Sequence, residues 1–269
     1  MRARLLPLVV LPLFAGVRPP EGGYPPPPEH GVVASVYDGD TVTLASGDKI
    51  RLRWVNTPEM KPEEPWAREA RALTEGFVLG KDVKLAVAPS GRDGYGRVVA
   101  GLETETGTLS LALLEAGLGH LFVIPPDDTD LSAMLAAQDR ARTAGIGIWS
   151  TWKGDLHITS LHNNGAGDDN ADPNVEYMRI ANITSKPVDL GGYRLRNKAG
   201  EEKVFPHAIL PAGHTVRVHS GRGGTITDPL VGVEIHLGHP QGFWDDEGEI
   251  ALLLTPEGVE IDRKVAGHP

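Results

Sequence analysis

The sequence predicts a mainly β protein of two domains in series, a small closed barrel carrying a few helices and then a β-sandwich. Three observations predict it. Over residues 31–150, short alternating apolar runs are cut by Asp-Gly and Gly turns, with few stretches of helical spacing. After Ile148-Trp149-Ser150 helical periodicity disappears, and short strand-like runs divided by Gly, Pro, Asn and Asp take over. The length, 269 residues, suits two domains of ordinary size.

The elements follow in order. Met1-Arg2-Ala3-Arg4 precedes a short apolar run to Phe14, so residues 1–18 read as an export leader, with a retained membrane-proximal segment as the alternative. Residues 19–30 are rich in Pro and Gly and read as an extended linker. Val32, Ala34 and Val36 alternate, as do Val42 and Leu44; Asp38-Gly39-Asp40 turns the chain between two strands. In the next strand Ile50, Leu52 and Trp54 share one face, with Arg51, Arg53 and Val55 on the other. Arg53 reads as a solvated charge. Pro58 and Pro62 end that strand. Trp66, Ala70, Leu73 and Phe77 recur at helical spacing, and Gly80 stops the helix.

Strands over 82–88 and 97–103 flank a Gly-rich turn, and helices over 109–117 and 131–144 follow. Five or so strands with one helix interposed and two trailing fit a closed barrel of the OB type, because closure removes exposed edges. Short runs over 176–181, 193–196, 215–219, 250–254 and 259–263 then predict the sandwich. The expected domains are 31–150 and 155–266. Asp168, Asp169, Asn170 and Asp172 form either a polar loop or a second calcium site.

Cysteine is absent, so no disulfide framework exists and any metal must be held by oxygen or imidazole. Formal net charge is −10, and neither half carries a basic excess. Tight nucleic-acid binding by bulk counterion release is thereby excluded; attraction to a polynucleotide must be local.

Three segments carry chemistry: Asp38-Gly39-Asp40-Thr41, Arg51 through Asn56-Thr57-Pro58-Glu59, and Asp93-Gly94-Tyr95-Gly96-Arg97. Asp40, Asn56 and Thr57 supply a carboxylate, an amide carbonyl and a main-chain carbonyl, the donors a calcium ion takes. Asp38 stands one shell out. Glu59 suits the work of orienting and deprotonating a water. Arg51 and Arg97 are guanidinium forks able to grip a phosphate. Tyr95 is placed to flank that phosphate.

In this order and spacing the segments closely resemble the thermonuclease (staphylococcal nuclease-like) family, over about residues 31–150; Leu113–Gly119 and Ile148-Trp149-Ser150 add to the match. The resemblance implies a calcium-dependent phosphodiesterase acting on DNA and RNA, an endonuclease leaving 3′-phosphates. It implies Arg51, Glu59 and Arg97 as catalytic and Asp40, Asn56 and Thr57 as the metal set. Two departures stand out. Asn56 replaces a frequent second aspartate, which predicts a higher calcium requirement. Phe122 is the one aromatic residue between Leu121 and Pro126, where the family commonly shows tyrosines.

Residues 155–266 resemble the lamin tail domain through Tyr177 to Asn182, Gly191-Gly192-Tyr193, Phe205-Pro206 and Trp244-Asp245-Asp246. That resemblance implies an immunoglobulin-like sandwich serving to bind or anchor, with an envelope or protein partner. His207, His214, His219, His236 and His239 lack the compact spacing of a zinc site. The expected protein is a bacterial nuclease, secreted or cell-envelope associated, without a stable membrane span. The alternative is a non-catalytic nucleic-acid or protein binding module on the envelope.

Overall fold

The computed structural model describes residues 23–127, 129–163 and 172–266. The leader and most of the acidic run at 168–172 lie outside the described residues.

The first half contains β1 (His30–Val36), β2 (Thr41–Leu44), β3 (Lys49–Leu52), β4 (Trp54–Asn56), α1 (Ala67–Val78), β5 (Asp82–Arg92), β6 (Val98–Thr104), β7 (Gly107–Thr108), α2 (Leu109–Glu115), β8 (His120–Phe122) and α3 (Ser132–Ala144). β3, β2, β1, β5 and β6 pair in that order, and β6 pairs back onto β3 in parallel, Ile50 opposite Val98 and Leu52 opposite Ala100. The barrel is therefore closed. Its core holds Val36, Val42, Leu44, Ile50 and Leu52, as the alternation predicts, with Val33, Val98 and Leu102, sealed by Leu109, Leu113 and Leu114 of α2. Val32 and Ala34, read as sharing a face with Val36, are exposed instead, because the β1–β2 register shifts between Val33 and Ser35.

One expectation fails at the end of β3. Alternation put Trp54 inside with Leu52 and Val55 outside, but Val55 is wholly buried and Trp54 is half-buried. Trp54 adopts φ +70°, a left-handed conformation rare for a bulky residue. That kink breaks the strand after Leu52 and reverses the side-chain phase. Gly101 makes room for the displaced ring, since a Cβ there would come within 2.6 Å of Trp54 Cζ3. β4 then leaves the barrel and pairs with β8, Asn56 opposite His120 and Trp54 opposite Phe122. Arg53 is also not a solvated charge. Its fork holds Asp127 at 3.0 and 2.9 Å, and Cζ lies 4.4 Å from the Trp54 ring.

The second half contains β9 (Leu156–His162), β10 (Tyr177–Asn182), β11 (Val188–Asp189), β12 (Arg194–Arg196), β13 (Glu202–Val204), β14 (Ile209–Leu210), β15 (Thr215–His219), β16 (Ile226–Asp228), β17 (Gly232–His236), β18 (Glu249–Leu254) and β19 (Glu260–Ala266). The order β16-β17-β15-β10-β9 forms one sheet and β13-β12-β18-β19 the other. Met178, Ile180, Val216, Val218 and Ile235 face Leu195, Ala251 and Leu253 across the core. This is the sandwich the strand pattern predicts.

The halves are joined by more than the chain. Val123 N–H donates to Gly213 O at 2.9 Å, and Thr215 N–H donates to Val123 O at 3.2 Å. Gln138 of α3, almost wholly buried, accepts from Leu121 N–H and donates to Ile183 O. Ile148 and Trp149 pack with Ala181 and Ile183 in a shared apolar cluster.

Candidate active site

The site is built where β1 hands over to β2. Gly39 has no room for a side chain: its Cβ would lie 2.7 Å from Thr57 Oγ1 and 2.8 Å from Ala70 Cβ. The turn is thus clamped between the end of β4 and α1, and Thr74 Oγ1 donates to Gly39 O at 2.6 Å. This fixes the two aspartates. Asp40 Oδ2 accepts from Thr57 N–H at 2.8 Å and from its hydroxyl at 3.1 Å; Oδ1 faces Arg51 Nε at 3.3 Å. Asp38 Oδ1 accepts from Asp40 N–H at 3.1 Å. Both aspartates are about 5% exposed or less.

Arg51 is held by the protein itself. Nη1 donates to Leu52 O at 2.6 Å and Val55 O at 2.7 Å, while Nη2 donates to Asn56 Oδ1 at 2.7 Å. Its Cζ lies 5.6 Å from the centre of the Phe122 ring. The kink at Trp54 supplies the Val55 carbonyl, so the strand break and the arginine's placement are one feature.

Glu59 lies half-buried beyond Pro58. Its N–H donates to Glu64 Oε2 at 2.9 Å. The other Glu64 oxygen is ion-paired at 2.8 Å with Lys264 Nζ, which arrives from β19 in the second half. Burial and the neighbouring Asp40 raise the Glu59 pKa, with Arg51 and Lys264 opposing. Burial first, then Asp40 and Glu59, push Asp38 up to about 7. Three carboxylates therefore crowd one another beside a single fixed guanidinium, a setting in which perturbed groups serve chemistry.

The donor set suits a hard cation only in part. Asn56 Oδ1 is engaged by Arg51, and Asn56 Nδ2 donates to Thr57 O at 3.4 Å. Among the described residues, no three acidic, His or Cys side chains stand at the spacing of a preformed metal shell. The chemistry of the donors fits calcium nonetheless. They are all oxygen, their negative charge is buried and crowded enough to raise Asp38, and calcium completes a flexible shell with carbonyls and waters.

Arg97 and Tyr95 lie at the β5–β6 hairpin, just before Val98 and Val99 of β6 pair with Ile50 and Arg51 of β3. Arg97 Nε donates to Asp93 Oδ2 at 2.7 Å, and its Cζ lies 5.4 Å from the Tyr95 ring. Among the described residues Arg97 makes no hydrogen bond or ion pair with Asp40 or Glu59. The structure thus brings together Arg51, Asp40, Asn56, Thr57 and Glu59, and leaves Arg97 tethered to its own hairpin. Sequence reasoning passed over Glu64 and Lys264. A second carboxylate five residues after Glu59 was the signal for Glu64; Lys264 is 200 positions further on and offered none.

A closed five-stranded barrel with buried carboxylates and a fixed arginine at the β1–β2 crossing defines a nuclease-type OB barrel, here fused to a sandwich. Residues 49–151 match the family described as Staphylococcal nuclease homologue, and residues 150–267 match the Lamin Tail Domain. The chain therefore joins a staphylococcal nuclease-homologue domain to a lamin tail domain. The thermonuclease of Staphylococcus intermedius is 27% identical over 128 residues, 45% of this chain and 76% of that protein. The thermonuclease of Staphylococcus hyicus is 27% identical over 125 residues, 44% of this chain and 74% of that protein. An uncharacterized protein of Bacillus anthracis is 29% identical over 143 residues, 50% of this chain and 66% of that protein. These likenesses support nuclease activity.

Proposed function

We propose that the protein is an exported, calcium-dependent endonuclease that hydrolyses DNA and RNA and leaves 3′-phosphates. The observation that carries this reading is the crowding of Asp38, Asp40 and Glu59 beside the preorganised Arg51 guanidinium. Asp40 and the Thr57 carbonyl are the donors for calcium, which when bound polarises the phosphate and offsets charge growing on it. Glu59, its carboxyl raised by burial, holds a water and takes its proton as the water oxygen bonds to phosphorus. The P–O5′ bond breaks on the opposite side, and the departing oxygen is protonated from solvent.

Arg51 is the electrostatic clamp. With three N–H groups already bonded to Leu52 O, Val55 O and Asn56 Oδ1, it spends no reorganisation on reaching the phosphate. Arg97 joins only when it leaves Asp93, a partly exposed pair that a phosphate can replace. The leader sequence supports export; among the described residues no helix is long and apolar enough to cross a membrane.

The test is plasmid nicking by the full chain with calcium or with chelator, native against Glu59→Gln. Nicking by native protein with calcium, lost in chelator and in the variant, is the expected result. Equal activity in every arm removes the mechanism.

A further inference from the structure

The lamin tail domain turns one face of a sheet toward the nuclease site. Along β10, Met178 and Ile180 point into the sandwich, so Tyr177, Arg179 and Ala181 point the other way. Ala181 is packed with Ile148 and Trp149 of the first half, which fixes where this face lies. One step along it, Arg179 Cζ is 6.0 Å from the Phe122 ring, the ring that Arg51 approaches at 5.6 Å. One step further, the Tyr177 ring stacks on His162, centroids 4.2 Å apart. The face thus meets the barrel at Phe122, the ring that Arg51 also approaches.

This strip is positive in a chain of net charge −10. Arg179 stands directly opposite Arg217 in the β10–β15 pair, an arrangement that destabilises a sheet. Arg179 donates to Thr215 Oγ1 at 2.9 Å, and among the described residues no carboxylate forms an ion pair with it. Arg217 lies 3.6 Å from Glu234 and 5.1 Å from the Tyr177 ring. The cost shows in the neighbours: burial and Arg217 lower Arg179 to about 10, and burial with the two arginines lowers His162 to about 4. A half-buried guanidinium without a carboxylate partner is a site that an anion would relieve.

We propose that this face is the second wall of the substrate groove, where Arg179 binds a phosphate flanking the scissile one in a single strand. The inference rests on the nuclease reading and extends it. Acidic Asp38, Asp40 and Glu59 work on one phosphate, and the arginine wall holds the strand that they would otherwise repel.

The experiment uses the full chain carrying Glu59→Gln, to suppress cleavage, and a fluorescein-labelled twelve-nucleotide oligothymidylate. Anisotropy is read across a salt series with calcium present. Adding Arg179→Gln is expected to weaken binding about tenfold and to reduce the salt slope by about 0.7, one single-strand phosphate contact. Adding Arg179→Lys keeps the slope. Inorganic phosphate, which cannot fill the barrel site and the flanking position at once, is expected to compete for the barrel site alike in all three. Unchanged affinity and slope in a folded Arg179→Gln protein overturns the proposal.

Photocrosslinking of the native chain to a 5-iodouracil oligonucleotide decides the matter without a variant. Adducts in peptides covering residues 177–182 or 215–219 support the wall, and adducts confined to residues 23–150 overturn it. Plasmid nicking by native protein separates the two readings. Cleavage with Arg179-independent binding sinks the wall alone. Arg179-dependent binding without cleavage keeps the wall and sinks the nuclease.

Discussion

Asp38 gives the sharpest test of the electrostatics at the β1–β2 crossing. It is 4% exposed, and its pKa is pushed from 3.8 up to about 7 by burial, Asp40 and Glu59. A folded-state pKa above the unfolded value means that the native state holds this proton more tightly. The benefit is full below the unfolded pKa of 3.8 and is lost as pH climbs toward 7; above that, the ionised carboxylate works against folding. A shift of roughly three units, at about 1.36 kcal/mol per unit, amounts to about 4 kcal/mol. Asp38→Asn removes the charge yet keeps an oxygen to accept from Asp40 N–H. The variant and native protein should therefore be nearly equal in stability near pH 4. At pH 8 in chelator the variant should be more stable by up to about 4 kcal/mol. Urea unfolding followed by tryptophan fluorescence across that pH range measures the gap. A difference that does not change with pH, or a variant weaker at pH 8, would refute the assignment of Asp38 as a crowded carboxylate.

Other outcomes follow from the same geometry. Lys264→Met removes the cation that steadies Glu64 and opposes the rise in Glu59's pKa, so the acid limb of the pH–rate profile should move upward and kcat fall several-fold, on the order of 1 kcal/mol, with the fold unchanged by circular dichroism. A profile identical to native protein would show that Lys264 does not act on Glu59. Asn56→Asp adds a formal charge beside Asp40 and the Thr57 carbonyl and should lower half-saturating calcium about tenfold in a nicking assay; an unchanged requirement counts against a cation held next to position 56. Trp149 is 3% exposed and packs against Ala181 and Ile183 across the domain junction. Trp149→Ala should cost about 3–5 kcal/mol and split a single calorimetric transition into two, one per domain. A single transition at the native temperature would mean that the halves are not coupled there.

Much of the fold was legible because its signals are local. Alternation of Val36, Val42, Leu44, Ile50 and Leu52 names most of the barrel core, and a period of two needs only neighbouring residues to declare it. The Asp38-Gly39-Asp40 turn, Asn56-Thr57-Pro58-Glu59 and Arg51 declared the site because turn chemistry and donor type are written within a few positions. The same local reasoning erred at Trp54 and Arg53. A left-handed residue reverses the phase of every side chain after it, and the space that permits it is made by Gly101, 47 positions away in the sequence.

What the sequence determined by itself is the pair of strand-rich domains and the inventory of carboxylates, amide and guanidinium groups at one strand crossing. Only the tertiary structure decided how they are used. It spends Asn56 on Arg51, ties Arg97 to Asp93, carries Lys264 to Glu64, and sets Arg179 beside Phe122. Those pairings depend on closure of the barrel and on the packing of Trp149 against the sandwich, contacts between residues too far apart in the chain to leave a periodic trace.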